Sequence, residues 1–67
     1  MKYRGNDGWY TVREYQGRDP AKAGLYRVYR NGTDGWKPVT KDWLRKPKAE
    51  NQLKILAIIH GWKEVKK

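Results

Sequence analysis

The chain contains no cysteine, no serine and no phenylalanine. Without cysteine there is no disulfide framework, no thiolate nucleophile and no cysteine-ligated zinc site. Without serine the common nucleophile of acyl transfer is missing. His60 is the one histidine, so a metal site with several histidine ligands is excluded. These absences predict a protein that holds no metal ion and no other cofactor.

Long apolar stretches are also missing. The longest run, residues 55–59, has five residues, whereas about 20 are needed to span a bilayer. The N-terminal segment carries charge but lacks the apolar core of a signal peptide. Together these features predict an intracellular, cytoplasmic protein with no membrane partner.

Acidic residues are scarce: seven Asp and Glu stand against sixteen Lys and Arg, which gives a net charge of +9. The carboxylates are scattered along the chain, with no close pair suited to general acid–base catalysis. A chain of 67 residues also leaves little volume for a water-excluded pocket. The sequence therefore predicts that the protein is not an enzyme.

Aromatic residues are plentiful, with four Trp and five Tyr. Each of these side chains buries about 150–250 Å² when packed. This apolar area favours a folded core over the disorder that a high net charge would otherwise promote. We therefore expect one small basic domain spanning residues 1–67.

The first half of the chain has the composition of β-strands. Residues 9–15 and 25–30 are rich in aromatic and β-branched side chains, and turn-forming residues bound both segments. A third strand is predicted at 36–40. Because Pro38 has no N–H to donate, this third strand must be short or lie at an edge of the sheet.

The second half changes to a helical period over residues 48–60. Its apolar residues recur at helical spacing and predict one packed face: Ala49, Leu53, Leu56 and Ala57. Ile55 and Ile59 are expected to widen that face, and Gly61 is expected to end the helix in a left-handed conformation. The predicted fold class is α+β, a small three-stranded antiparallel sheet packed on one C-terminal helix. The remaining tail has room for a short fourth strand.

The pattern Gly-Trp-x-x-Val occurs three times, at 8–12, 35–39 and 61–65. A true repeat requires each copy to open the same supersecondary unit. The segments that follow the copies differ in predicted structure. We therefore interpret the pattern as a strand start used three times, and not as a repeated unit.

Strand alternation defines a first candidate binding surface. It places Trp9, Arg13 and Tyr15 on one face of the first strand, and Arg27 and Tyr29 on one face of the second. Cations neutralise phosphates with release of counterions, while flat rings and guanidinium planes stack on bases. This face therefore predicts nucleic-acid binding. The alternative is that cross-strand Tyr and Arg pairs only stabilise the sheet.

A second candidate surface is the densest basic stretch of the chain. Five cations lie within twelve residues and are opposed only by Asp42: Lys37, Lys41, Arg45, Lys46 and Lys48. Free backbone N–H groups at the start of the predicted helix would add to the attraction for phosphate. We predict phosphate contacts for this stretch, with a solvated basic loop as the alternative.

The sequence as a whole predicts a small nucleic-acid-binding protein, with DNA favoured over RNA, in a regulatory or accessory role. The alternative is a non-enzymatic interaction module that docks an acidic protein partner, since Trp, Tyr and Arg dominate the energetics of protein interfaces. A homodimer through Ile58 and Ile59, or through an edge strand, is compatible with either function.

Overall fold

The computed structural model of the protein describes residues 1–65. Tight turns rich in Asn, Asp and Gly join two pairs of its antiparallel strands. The domain predicted from the sequence extends to residues 66 and 67, which lie outside the described part. The described elements are β1 (Lys2–Gly5), β2 (Gly8–Glu14), a 3-10 turn (Pro20–Lys22), β3 (Tyr26–Gly32), β4 (Gly35–Pro38), α1 (Lys46–His60) and β5 (Lys63–Glu64).

The strands form one antiparallel sheet in the order β4-β3-β2-β1-β5. The predicted α+β class with one helix is confirmed. The predicted count of three strands is wrong, because the sheet has five strands within residues 1–65. The helix carries the chain from the β4 edge to the opposite edge, where the two-residue β5 pairs with β1. This is the short strand expected after the helix.

Strand β1 escaped prediction because Tyr3 is its one large apolar residue. Its register with β2 ends at the pair Gly5–Gly8, so only Asn6 and Asp7 connect the two strands. Gly8 has a φ of +141°, which an L side chain rarely adopts. A two-residue Asn-Asp turn followed by such a glycine is a hairpin signal. The sequence therefore contained the signal for this strand, although we interpreted it only as a boundary.

The three strands that were predicted lie within two residues of their expected bounds. Residues 9–15 correspond to Gly8–Glu14, 25–30 to Tyr26–Gly32, and 36–40 to Gly35–Pro38. Strand β4 lies at an edge of the sheet, as the missing N–H of Pro38 requires.

Helix α1 begins at Lys46, two residues before the predicted start. Arg45 is the N-cap and makes no side-chain capping hydrogen bond. Pro47 fits the first turn, where its missing N–H has no partner within the helix. At the other end Gly61 has a φ of +71° and donates its N–H to the Ala57 carbonyl. The predicted left-handed end of the helix is confirmed.

The core lies between α1 and the face formed by β1, β2 and β3. It combines two tyrosines of the sheet with small and branched residues of both layers: Tyr3, Tyr10, Val28, Leu53 and Ala57. Leu53 and Val28 are fully buried. Ala49 and Ala57, also buried, allow the helix to approach the sheet closely because they carry no bulk beyond Cβ.

The isoleucines of α1 do not take part in this core. Ile55, Ile58 and Ile59 are 48%, 81% and 69% exposed. An α-helix turns about 100° per residue, so Ile55 lies about 160° and Ile59 about 120° from Leu53 around the helix axis. The expectation that Ile55 and Ile59 widen the packed face is therefore wrong. Within residues 1–65, these three isoleucines form a part of the helix surface that no other element covers.

The glycines of the three Gly-Trp-x-x-Val copies all have a positive φ, but the copies do not form a common structural unit. Gly8 and Gly35 have φ values of +141° and +87° and each begins a strand. Gly61, at +71°, instead ends the helix, and the next strand begins two residues later at Lys63. The interpretation as a strand start is confirmed for the first two copies only.

The helix offers a matched pair of substitutions that tests the packing. We expect Leu53→Ala to lower the free energy of unfolding by about 2–5 kcal/mol, because it leaves a cavity in the core. Ile58→Ala should change it by less than about 0.5 kcal/mol, because the side chain is exposed. Urea denaturation followed by circular dichroism measures both. Similar losses for the two variants would contradict the assigned helix orientation.

Candidate functional site

The sheet has one face packed on α1 and one face turned away from it. We call the second the outer face and assign it from the cross-strand register, because directly paired residues project to the same side of a sheet. Its residues are Lys2, Arg4, Trp9, Thr11, Arg13, Arg27, Tyr29, Asn31, Trp36, Pro38 and Lys63.

Charge on the outer face is of one sign. It carries five cations and, within residues 1–65, no carboxylate: Lys2, Arg4, Arg13, Arg27 and Lys63. The acidic residues of the strands project the other way, since Glu14 pairs with Tyr26 and Glu64 pairs with Tyr3 on the helix side. The outer face therefore carries positive charge alone, whereas the helix side of the sheet carries both signs, with Arg30 and Lys37 beside Glu14 and Glu64.

Two of these cations are directly opposed. Arg13 and Arg27 are cross-strand partners in the β2–β3 pair. Residues in this relation have Cβ atoms about 4.5–5.5 Å apart, and like charges there destabilise a sheet. Aromatic rings offset part of that cost. The Arg13 guanidinium lies 4.4 Å from the Trp36 ring, and that of Arg27 lies 4.1 Å from Trp43.

The opposite end of the outer face repeats the pairing of cations with rings. The Lys2 ammonium and the Arg4 guanidinium lie 4.7 Å and 5.4 Å from the Trp9 ring. Trp9 and Trp36 are still 36% and 42% exposed. Both lie in one cross-strand row, on either side of Asn31, so two large rings at this end of the surface remain accessible to a ligand.

Three rings and two arginines form a recess at the end of the outer face near the end of β2. We call it the aromatic recess. Its rings and arginines are Arg13, Tyr15, Arg27, Tyr29 and Trp43, and Glu14, Gln16 and Gly17 complete its lining. It has a volume of about 380 Å³. Tyr15 meets Trp43 edge-on at 4.9 Å, and Tyr29 lies 6.4 Å from Trp43. The structure thus brings together four of the predicted site residues, Arg13, Tyr15, Arg27 and Tyr29.

The second predicted cluster has a different location. Lys37 pairs with Arg30 on the helix side of the sheet, and its Nζ lies 3.5 Å from an Asp34 carboxylate oxygen. The Lys46 ammonium lies 5.8 Å from the ring of Tyr26. The others are exposed in the loop before α1 or in its first turn: Lys41, Arg45 and Lys48. None of the five belongs to the outer face: the register of β4 turns Lys37 to the helix side, and the other four lie outside the strands.

Sequence reasoning also missed members of the outer face. Lys2 and Arg4 flank the buried Tyr3, an alternation that would have placed both on one face had β1 been predicted. Trp36 follows from the same alternation in the third predicted strand. No local pattern indicated that Trp43, which lies outside the strands, packs on Arg27.

A larger cleft of about 980 Å³ opens on the helix side of the sheet. The Tyr10 hydroxyl there donates to Asp7 at 2.6 Å, and Arg30 donates to the other oxygen of Asp7 at 3.1 Å. The Tyr10 ring stacks on Trp62 at 3.6 Å, and His60 stacks on Trp62 at 5.1 Å. His60 therefore contributes a ring contact at the helix end.

These contacts shift the pKa values of two groups in opposite directions. Burial first, and then the hydrogen bond to Asp7, raises the pKa of Tyr10 to about 12. The hydrogen bond from Tyr10, followed by that from Arg30, holds the pKa of Asp7 below its ordinary value, although desolvation opposes the shift.

Comparison of the chain with protein families, with curated proteins and with solved structures gives no match. Within residues 1–65, no three His, Cys, Asp or Glu residues are grouped so that they could hold a metal ion. Over the same residues, no helix combines the length and apolar character needed to cross a membrane.

The raised pKa of Tyr10 predicts a specific loss of stability in alkali. Because the folded state favours the protonated phenol, its contribution is complete below pH 10 and is lost as the pH rises through about 12. The wild-type chain should lose up to about 2–3 kcal/mol through this group. Tyr10→Phe should lack this component of the loss. Urea unfolding of both proteins at pH 9 and pH 12 measures the difference, and identical losses would contradict the assignment.

Proposed function

We propose that the protein binds nucleic acid through its outer face, with DNA preferred over RNA. The observation that carries the proposal is the single sign of charge on this face: five cations share it, and no carboxylate of residues 1–65 lies among them. A surface of this kind attracts a polyanion and gains affinity from the release of its counterions.

The opposed arginines strengthen the proposal. A pair such as Arg13 and Arg27 reduces the stability of the sheet. A local feature that destabilises the fold is expected mainly where it serves function. Other interactions in the chain must then compensate for its cost. Two adjacent phosphates would remove the repulsion between these guanidinium groups, so binding relieves a conflict that exists in the free protein.

The rings distinguish nucleic acid from other polyanions. Trp36 and Trp43 hold the two guanidinium groups in defined positions before any ligand arrives. Such preorganisation lowers the entropic cost of binding. The exposed parts of Trp9 and Trp36 offer additional surface to sugars and bases. A polyanion without flat groups, such as polyglutamate, would use the charges of this face and leave its rings unused.

The shape of the surface supports the preference for DNA. The major groove of B-form DNA is about 12 Å wide and admits a two-stranded β-ribbon. The major groove of A-form RNA is too narrow and deep for side chains to read. Strands β2 and β3 lie inside a five-stranded sheet, so their projecting arginines, and not the strands as a free ribbon, would enter the wider groove of DNA.

The proposal predicts a steep dependence of affinity on salt. If the five cations of the outer face each neutralise one phosphate, the affinity for duplex DNA should fall by about 10²–10³-fold between 50 and 200 mM salt. Tryptophan fluorescence titrations at the two salt concentrations measure this slope. An affinity that does not change with salt would overturn the proposal.

Polyglutamate serves as the control for an acidic protein partner. At equal concentration of negative charge it should bind the protein more weakly than DNA does, because it offers no bases to the rings of the outer face. Equal or tighter binding of polyglutamate would instead favour the interaction module considered from the sequence.

A matched pair of arginine substitutions tests which surface is used. Arg13→Gln should reduce the slope of log affinity against log salt by about 1, because one phosphate contact is lost. Arg18→Gln removes the same charge from an exposed loop residue outside the strands and should leave the slope unchanged. The free energy of unfolding of Arg13→Gln should stay within about 1 kcal/mol of wild type, since relief of repulsion offsets the lost ring contact. Equal slopes for the two variants would contradict the assignment of the outer face.

A further inference from the structure

The aromatic recess differs from the other ring cluster of the molecule in the orientation of its rings. Tyr10 and Trp62 stack on each other at an interplanar angle of 14° and a distance of 3.6 Å, which leaves no space between them. In the recess, Tyr15 and Trp43 meet at 84°, and Tyr29 and Trp43 are tilted by 52°. These rings do not cover one another, so they line an open volume.

One of the arginines that line the recess has a hydrogen-bond donor without a partner. The Arg27 Nε is buried and has no partner within residues 1–65. Another nitrogen of the same guanidinium donates to the Tyr29 hydroxyl at 2.9 Å. A buried polar group without a partner is unfavourable and uncommon in native proteins. A ligand that brings an acceptor oxygen or nitrogen into the recess would satisfy it.

The charges of the recess restrict the ligand. Aromatic cages that bind quaternary ammonium groups use rings alone to hold a cation. Here Arg13 and Arg27 supply two positive charges, against the one carboxylate of Glu14 in the lining. The recess therefore rejects cations and favours a flat group with hydrogen-bond acceptors and a nearby negative charge. A nucleobase carried by a phosphodiester strand has each of these properties.

The location of the recess connects it to the proposed binding surface. Arg13 belongs both to the outer face and to the recess. A strand whose phosphates follow the outer face would therefore pass the opening of the recess. The volume of about 380 Å³ falls within the range of about 300–1,000 Å³ that is usual for small-molecule pockets.

We propose that the aromatic recess takes one unpaired base of the bound nucleic acid. This inference rests on the proposed function and adds to it a preference for sites where duplex and unpaired strand meet. Within a duplex the faces of each base are covered by its neighbours, so a recess lined by rings is filled only by a base that has left the stack. Phosphate contacts hold the nucleic-acid strand on the outer face. The recess then distinguishes a nucleic-acid end that has an unpaired base from one that is fully paired.

The test compares two DNA duplexes that differ by a single base. Both carry a one-nucleotide overhang, which is thymidine in the first and an abasic residue in the second, so the charge is identical. We expect the wild-type chain to bind the thymidine-bearing duplex about tenfold more tightly, because stacking on aromatic side chains contributes on that scale. Fluorescence anisotropy of labelled duplexes at one fixed salt concentration measures the ratio of the two affinities.

Two tryptophan variants locate the effect. Trp43→Leu removes a wall of the recess and should bring the affinity ratio to about one. Trp9→Leu removes a ring of the outer face outside the recess and should keep the ratio, even if both affinities fall. Circular dichroism establishes that each variant is folded. A ratio retained in folded Trp43→Leu would overturn the assignment to the recess, and the wild-type ratio tests the proposal whether or not this variant folds.

The outcomes separate the two proposals. A wild-type ratio of one, with strong salt-dependent binding of both duplexes, overturns the recess and leaves nucleic-acid binding intact. Absence of binding to either duplex overturns both proposals. Free thymidine monophosphate should compete poorly because it lacks the neighbouring phosphates. If it binds as tightly as the overhang, the recess is a mononucleotide site and the preference for a strand is wrong.

Discussion

A single helix covers only one face of a five-stranded sheet, and this limit determines the character of the whole molecule. Helix α1 packs on the face that carries Tyr3, Tyr10 and Val28, where almost all of the buried side chains lie. The other face has no covering layer among residues 1–65. It must be stable in contact with water, so its residues are cations and amphipathic rings, which are the groups that a nucleic-acid surface also requires.

The same contacts therefore stabilise the sheet and take part in the proposed function. The packing of Arg27 on Trp43 at 4.1 Å keeps the uncovered face ordered. The same packing holds a guanidinium group where a phosphate would bind. The pairing of Arg13 with Arg27 is the point at which the two demands conflict. An opposite charge at either position would stabilise the sheet more, so this pair supports the proposed function more specifically than the net charge of the chain does.

Alternation within strands proved the most informative sequence signal. It placed Arg13, Tyr15, Arg27 and Tyr29 on one side of the sheet, because a period of two follows from backbone geometry alone. Reasoning from charge density grouped Lys37 with the loop cations, and its strand turns it to the other side. Elements that depend on distant partners were not predictable in the same way. The hairpin of β1 with β2 has a local signal in the Asn-Asp-Gly turn, but the pairing of β1 with β5 joins distant segments and leaves no trace in four residues.

The two clusters of aromatic rings differ in role: one stabilises the fold, and the other is proposed to bind a ligand. Gly5 allows Trp62 to stack on Tyr10, since a Cβ at this position would lie 2.9 Å from atoms of both rings. That stack brings the end of the helix and β5 against β1, so its rings are committed to the fold. Trp43 lies outside the strands, and its neighbour Leu44 forms an isolated β-bridge with Tyr26 of β3. Its ring stands at an angle to those of Tyr15 and Tyr29, and in the proposed function such an angled ring at the end of a cationic face contacts the ligand.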